Sequence, residues 1–364
     1  MHMNNSTADW RTALPERTRR PIRAWLYSIA ALTLGVLVVG GITRLTMSGL
    51  SIVEWAPIMG VVPPLNESQW QAAFDQYRQF PEYQTLRQGM TLREFQFIFF
   101  WEYLHRLLAR AIGVVFLVPF SYFAVRRRFN GPLIRRSLVL FALGGMQGVM
   151  GWIMVSSGLV DQPSVSHYRL AAHLSLAFII FGYAVWLARE LRVDATSFTA
   201  PSHARRLMLR GLAVIGVLLG VQILWGAFVA GLDAGFIYNT FPLMGGSLVP
   251  AALLPLEPAW LNFFANPVAV QWLHRVLGTV LAAAVIALYI RVTRAHVDSR
   301  SRTLNLIMLA MVVGQYALGV LTLIYHVPVS LGVLHQAVAL IIAGVWVVWL
   351  HHAINLVTVR SLNS

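Results

Sequence analysis

The chain has no cysteine. That absence excludes structural disulfides, cysteine-held iron–sulfur clusters and covalent haem attachment through Cys-x-x-Cys-His. Lysine is also absent, so all 28 basic side chains are arginines. Charge of either sign is scarce, at 12% of 364 residues, where a soluble protein carries about a quarter. Acids number only 14, and Glu102 alone lies clearly inside an apolar stretch. A carboxylate-rich di-iron site therefore lacks ligands in the apolar part of the chain.

Hydrophobic residues, in contrast, make up 57%. Runs of about 20 apolar residues recur along most of the length, long enough to cross a bilayer. Eight spans are expected, near 24–45, 94–124, 134–156, 167–190, 206–231, 267–292, 303–325 and 330–357. Backbone groups in hydrocarbon have to pair within their own segment, so the predicted fold is an all-α polytopic membrane bundle. The net charge of +14 follows topology. Arg11, Arg17, Arg19, Arg20 and Arg23 precede the first span, and Arg126, Arg127, Arg128, Arg135 and Arg136 lie between spans 2 and 3. Arg189, Arg192, Arg205, Arg206 and Arg210 surround the connection of spans 4 and 5, and Arg291, Arg294, Arg300 and Arg302 that of spans 6 and 7. The alternate connections hold only Arg78, Arg87 and Arg93, all in 46–95, beside Glu54, Glu67, Asp75, Glu82 and Glu94. The positive-inside rule then places both termini in the cytoplasm. Topology accounts for the basic excess, and no nucleic-acid partner is needed.

The chain echoes itself. His105-Arg106 and His274-Arg275 are offset by 169 positions, Gln147–Gly151 and Gln315–Gly319 by 168, Pro57–Gly60 and Pro242–Gly245 by 185, and His173 and His335 by 162. Two copies of one four-helix bundle are expected, spans 1–4 and spans 5–8. Each copy has an even number of spans, so they share orientation and are related by a pseudo-twofold axis along the membrane normal. The expected organisation is a cytoplasmic tail 1–23, an N-terminal bundle 24–190 with a long outer loop 46–95, a linker 191–205, a C-terminal bundle 206–357 and a tail 358–364.

Four histidines stand out: His105, His173, His274 and His335, all on even-numbered spans. Counted from the span starts they sit roughly 8–17 Å below the outer surface. Two imidazoles per bundle, at one depth and on different helices, suit the two axial positions of a planar haem; zinc wants more ligands. A single intramembrane histidine bonded to a carbonyl is the plain alternative, which the duplication argues against. His2, His203 and His296 fall in tails or loops, His351 and His352 near a cytoplasmic end, and His167 and His326 at outer, solvated helix ends. Arg106 and Arg275 are candidates for haem propionates, or snorkel to the interface. Glu102 shares a helix face with His105, and its counterpart is Gln271. It is a candidate proton carrier or charge stabiliser; pairing with Arg106 is the structural alternative. The loop 46–95, with Trp70, Phe74, Tyr77, Phe80 and Tyr83, reads as a cover over the first bundle or as an interfacial aromatic belt.

Several stretches together resemble the haem A synthase family, in its proteobacterial and mitochondrial branch. They are Gly40–Thr46, Gly49–Trp55, Pro57–Pro64, Trp101–Leu108, His167–His173, Asn239–Gly246 and Gln271–Gly278, and the resemblance runs from about 24 to 357. It implies a bacterial inner-membrane oxidoreductase that converts a ring methyl of haem O to the formyl of haem A for cytochrome oxidase. It implies that His105 and His173 meet the iron of the substrate haem, that His274 and His335 ligate haem b, and that Glu102 is the family's important acid. Haem O synthase and cytochrome oxidase assembly factors become expected neighbours, and a homo-oligomer is compatible with the sequence. Some branches carry a cysteine pair in the first outer loop; this chain does not, which removes any thiol role there. A bis-haem b electron carrier from quinol to a partner is the competing reading. It needs the histidines but has no use for the Glu102/Gln271 difference or the long loop. A haem transporter or chaperone, a third reading, needs binding but no oxidation.

Overall fold

A computed structural model describes residues 14–53, 59–158, 165–192 and 199–359. The chain is a membrane protein in which, among the described residues, eight helices are long and apolar enough to cross a bilayer. They are α1 (Glu16–Leu45), α4 (Leu92–Val125), α5 (Gly131–Gly158), α6 (His167–Glu190), α7 (Ser202–Gly231), α9 (Pro267–Arg294), α10 (Ser299–Ile324) and α11 (Val329–Ile354). Three shorter helices, α2 (Glu67–Tyr77), α3 (Pro81–Leu86) and α8 (Asn262–Ala265), lie in the connections. All eight expected spans are present, and the boundaries shift where polar residues extend them. The first helix starts at Glu16, where ion pairs to Arg19 and Arg23 carry it beyond its apolar run. The last helix stops at Ile354, not near 357, and Val357–Val359 (β2) pairs in parallel with Thr199–Pro201 (β1). Arg205 donates to the carbonyls of Ala353 and Ile354, which satisfies two acceptors that a helix end leaves free. The expected tails and linker fall partly outside the described residues, as do Pro57 and Ile58 of the repeat.

Packing follows one scheme twice. Helix α1 packs against α4 and α6, and α6 against α5; likewise α7 packs against α9 and α11, and α11 against α10. Across the seam α1 meets α11, α6 meets α7, and α6 meets α11, a set that maps onto itself when the two groups are exchanged. Ile22, Leu26, Leu187, Met208, Leu212, Leu340 and Trp349 fill the apolar core along this seam. Apolar side chains such as Val118, Met146 and Val149 point outward, as lipid contact requires. Two polar ties cross the seam on the face that carries the 46–91 connection: Arg44 to Asp233 and the Ala230 carbonyl, and His167 to the Phe264 carbonyl at 2.9 Å.

The scheme breaks in one place. Helix α9 packs along α10, but α4 and α5 touch only sparsely. Phe116 of α4 stacks on Phe141 of α5. Gly144 and Gly148 continue the Phe141 face by three and seven residues, and no atom lies within 4 Å of where their side chains would begin. The positions 168 further on hold Val312, which is buried, and Tyr316, whose hydroxyl is 3.0 Å from Thr279 Oγ1 of α9. Side-chain bulk closes one helix pair, and glycine leaves the other open.

Candidate functional site

Each of the four histidine rings faces a glycine on a neighbouring helix. A Cβ on Gly40 of α1 would stand 3.0 Å from His105 Nε2, and one on Gly226 of α7 would stand 3.1 Å from His274 Cε1. A Cβ on Gly151 of α5 would lie 3.3 Å from His173 Cε1, and one on Gly319 of α10 2.8 Å from His335 Cε1. The four helix pairs correspond between the groups. His105 and His173 are within electrostatic range of each other, as are His274 and His335. The structure thus brings together the pairs expected from the repeat. Among the described residues no three His, Asp or Glu side chains converge.

Three glutamines hold this frame. Gln147 donates to the His173 carbonyl and places its Nε2 3.3 Å from His173 Nε2. Gln315 donates to the His335 carbonyl at 2.8 Å, and Gln222 Nε2 is 3.3 Å from His274 Nε2. Nδ1 of His173, His274 and His335 is buried without a partner. The sequence reading missed this shell, although Gln-x-x-x-Gly occurs at 147–151, 222–226 and 315–319. That spacing puts amide and glycine on one helix face. The first helix has Val36 where the pattern would want a glutamine.

Toward the long-connection face, each first histidine is preceded by a latch. Glu102, 2% exposed, accepts from Ser51 Oγ at 2.7 Å, from the Ile52 amide at 2.9 Å and from Arg106 Nη2 at 2.6 Å. Arg106 also donates to the Ile52 carbonyl. In the second group Gln271 and Arg275 both donate to the Tyr238 carbonyl, and Arg275 adds the Thr240 carbonyl. Two geometrically matched latches thus differ by one negative charge.

The model of a cytochrome oxidase assembly protein family matches residues 23–347. A haem A synthase of Rhodospirillum centenum is 47% identical over 332 residues, covering 91% of this chain and 88% of that protein. The haem A synthases of Nitrosospira multiformis and Sinorhizobium medicae are 43% and 44% identical over 344 and 329 residues, 92% and 90% of this chain and 96% and 89% of theirs. The chain belongs to the haem A synthase family.

Against this family frame, the long connection is a folded cap. Helix α2 begins at Asn66, whose side chain accepts from the Gln69 amide, and α4 begins with a reciprocal Thr91–Glu94 box. Phe74, Tyr77, Phe95, Ile98 and Phe99 form a buried cluster, with Trp70 and Tyr83 packed on it. Glu82 is 5% exposed inside this cap, and burial pushes its carboxyl up to about 7, against the pull of Arg87 and with a further push from Glu102. Burial and the neighbouring Glu82 raise the Tyr77 hydroxyl as well. Both residues were read from sequence only as parts of a loop.

Of the remaining histidines, His167 is not solvated as its helix-end position suggests, because it bonds the Phe264 carbonyl across the seam. His351 and His352 are buried, the first against Trp186 and the second 3.0 Å from Asp298 Oδ1 at the start of α10. His203, His296 and His326 are exposed, and His2 lies outside the described residues.

Proposed function

We propose that this protein oxidises a ring methyl of haem O to the formyl group of haem A. The substrate haem sits in the N-terminal half between His105 and His173, and a resident haem b sits in the C-terminal half between His274 and His335. The residues present fit such groups. Each half offers two imidazoles on different helices, a glycine that clears each ring and, among the described residues, no third ligand that would favour tetrahedral zinc. Haem b supplies one-electron transfer when bound; the protein supplies ligation, orientation and electrostatics.

The observation that carries the assignment of halves is their asymmetry. The α4–α5 pair beside His105 and His173 is loose, as suits a bulky substrate that comes and goes. The α9–α10 pair beside His274 and His335 is closed by Tyr316, as suits a cofactor that stays. The buried acid is in the loose half, where Glu102 places a negative charge three residues before His105. That charge stabilises positive charge that develops at the methyl carbon, and it fixes the Ser51–Ile52 backbone above the ring. Arg275 Nε is a buried donor without a partner and is the proposed contact for a haem b propionate. Arg106 is the corresponding contact for the substrate haem, shared with Glu102.

The arginine distribution supports a topology with both termini in the cytoplasm and the cap on the outer face, and a bacterial inner membrane is the proposed location. Haem O synthase and cytochrome oxidase assembly factors are the proposed neighbours, and self-association is read by chromatography with light scattering. The decisive test is coexpression with haem O synthase, followed by separation of extracted haems. Haem A with haem b is the expected pair. Haem b alone at two equivalents per chain would instead identify a bis-haem b electron carrier.

A further inference from the structure

The conversion of a methyl to a formyl group removes two C–H hydrogens, and protons have to leave a site enclosed by membrane helices. Glu102 is poorly free to carry them. Its two oxygens are committed to Arg106, Ser51 and the Ile52 amide, all ordinary partners of an ionised carboxylate. A second buried carboxyl lies in the cap above it. Glu82 begins α3 and is 5% exposed, and Tyr77 is fully buried; the hydroxyl and the carboxyl are hydrogen-bonding neighbours of each other, and neither the Tyr77 hydroxyl nor Glu82 Oε2 has another partner. A buried hydroxyl and carboxyl with only each other leave hydrogen-bonding capacity unmet, at about 1–3 kcal/mol, which calls for a reason.

Their surroundings supply one. Phe95, Ile98, Phe99 and Glu102 lie along one stripe of α4, so the aromatic cluster that encloses Tyr77 stands directly on the Glu102 side of that helix. Tyr77 interacts electrostatically with Glu82, Arg87 and Glu102, and Glu82 with Tyr77, Arg87 and Glu102. Arg87 in turn donates to the carbonyls of Thr46 and Met47, and it lines an open cleft of about 590 Å³ with Thr46, Gln88 and Arg93. Tyr77 and Glu82 thus share the cap with the Glu102 face of α4 on one side and with Arg87, which lines the open cleft, on the other. Poised near neutrality by its burial, Glu82 can both take up and give away a proton.

We propose that Glu82, with Tyr77, exchanges protons between the N-terminal haem half and the outer aqueous phase. The inference rests on the reading that this half holds the reacting haem. The step is a proton hop alone. In one concerted hop the Tyr77 oxygen gains a proton from the haem side as its own O–H proton passes to the Glu82 carboxylate, so no tyrosinate forms in the apolar cluster, and Glu82 gives its proton to water from the cleft that Arg87 lines. No electron moves in it, so it holds for any oxidant and any source of the inserted oxygen.

The test uses the full chain coexpressed with haem O synthase, as wild type, Glu82→Gln, Glu82→Asp and Tyr77→Phe. Glu82→Gln is expected to keep both bound haems by their absorption bands, to slow haem A formation by about 10-fold or more, and to lose the rate inflection near pH 7. Glu82→Asp should restore part of the rate and a shifted inflection. Infrared spectra of the purified protein should show a protonated carboxyl band that titrates near pH 7 and is absent from Glu82→Gln. A Glu82→Gln protein with the wild-type rate and pH profile overturns the proposal, and so does a wild-type protein with no such band. If Glu82→Gln does not accumulate, Tyr77→Phe decides by rate and the wild-type infrared titration by midpoint. A wild-type protein that makes no haem A overturns the functional reading instead, and the infrared titration reads Glu82 independently of it.

Discussion

Glu102 and Gln271 occupy equivalent positions, each four residues ahead of an arginine that grips the adjacent loop. The neutral half shows that the grip needs no carboxylate. Arg275 reaches two carbonyls, Gln271 shares one of them, and Gln271 Oε1 is left buried and unused. In the acidic half the same position accepts three hydrogen bonds and puts an ionisable carboxyl in a membrane helix, which is costly unless it is used. The comparison separates architecture from chemistry: under the proposed assignment, what the halves share builds a ring site, and what they do not share makes one ring react.

The bluntest way to test that division is to remove the histidines one at a time. His274→Ala and His335→Ala should each abolish the haem b signal and leave substrate haem bound. His105→Ala and His173→Ala should abolish haem A formation and leave haem b intact. Difference spectra and extracted haems read both, and loss of both haems from any single variant breaks the picture of independent halves. Exchanging the distinctive pair is sharper. Glu102→Gln should retain the fold and both haems and lose about 2–4 kcal/mol of transition-state stabilisation, roughly 30- to 1000-fold in rate. Gln271→Glu should gain no activity and lower the haem b reduction potential, measured by redox titration.

The latches themselves should differ in cost. Arg106→Ala leaves Glu102 buried and unpaired, a loss of about 3–5 kcal/mol. Arg275→Ala leaves only carbonyls unmet, about 1–3 kcal/mol. Thermal unfolding in detergent ranks them, and equal losses would mean the acid is not charged in its latch. Among the ring-facing glycines, Gly319→Ala, whose Cβ would be 2.8 Å from the ring, should cost more haem than Gly151→Ala at 3.3 Å. Overpacking of that kind costs about 1–3 kcal/mol.

Much of this arrangement was readable in the chain. Apolar runs gave the eight spans because lipid tolerates nothing else, and the duplicated His-Arg gave the histidine pairs. The difference between Glu102 and Gln271 was visible as soon as the copies were aligned. The glycines opposite the rings were not, since a contact between helices has no signature in the spacing along one of them. Hydropathy also misjudged the cap and the helix ends. Glu82 counts as a loop acid until α3, which carries it, folds with α2 onto α4, and His167 counts as solvated until the Phe264 carbonyl meets it from 97 residues further on. In both, tertiary burial overrides a local polar reading.

The smallest predicted effect follows from that burial. The Glu82 carboxyl is raised in the folded cap, so the folded state holds its proton more tightly than the unfolded chain does. Cap stability should therefore be greatest below the ordinary carboxylate range, decline as pH rises toward about 7, and level off above it. Amide exchange in α2 and α3 should be faster at pH 8 than at pH 5.5, and Glu82→Gln should remove the difference.

The gap between α4 and α5 has a consequence for how the enzyme is saturated. A ligand admitted from the side never has to dissolve in water. If the proposed substrate half fills through this gap, what fills it is the mole fraction of haem O in the surrounding lipid, and dilution of the membrane with detergent should act on turnover as a rise in KM would. The closed α9–α10 pair would give the haem b proposed there no such reservoir, and its exchange should run on the clock of helix separation.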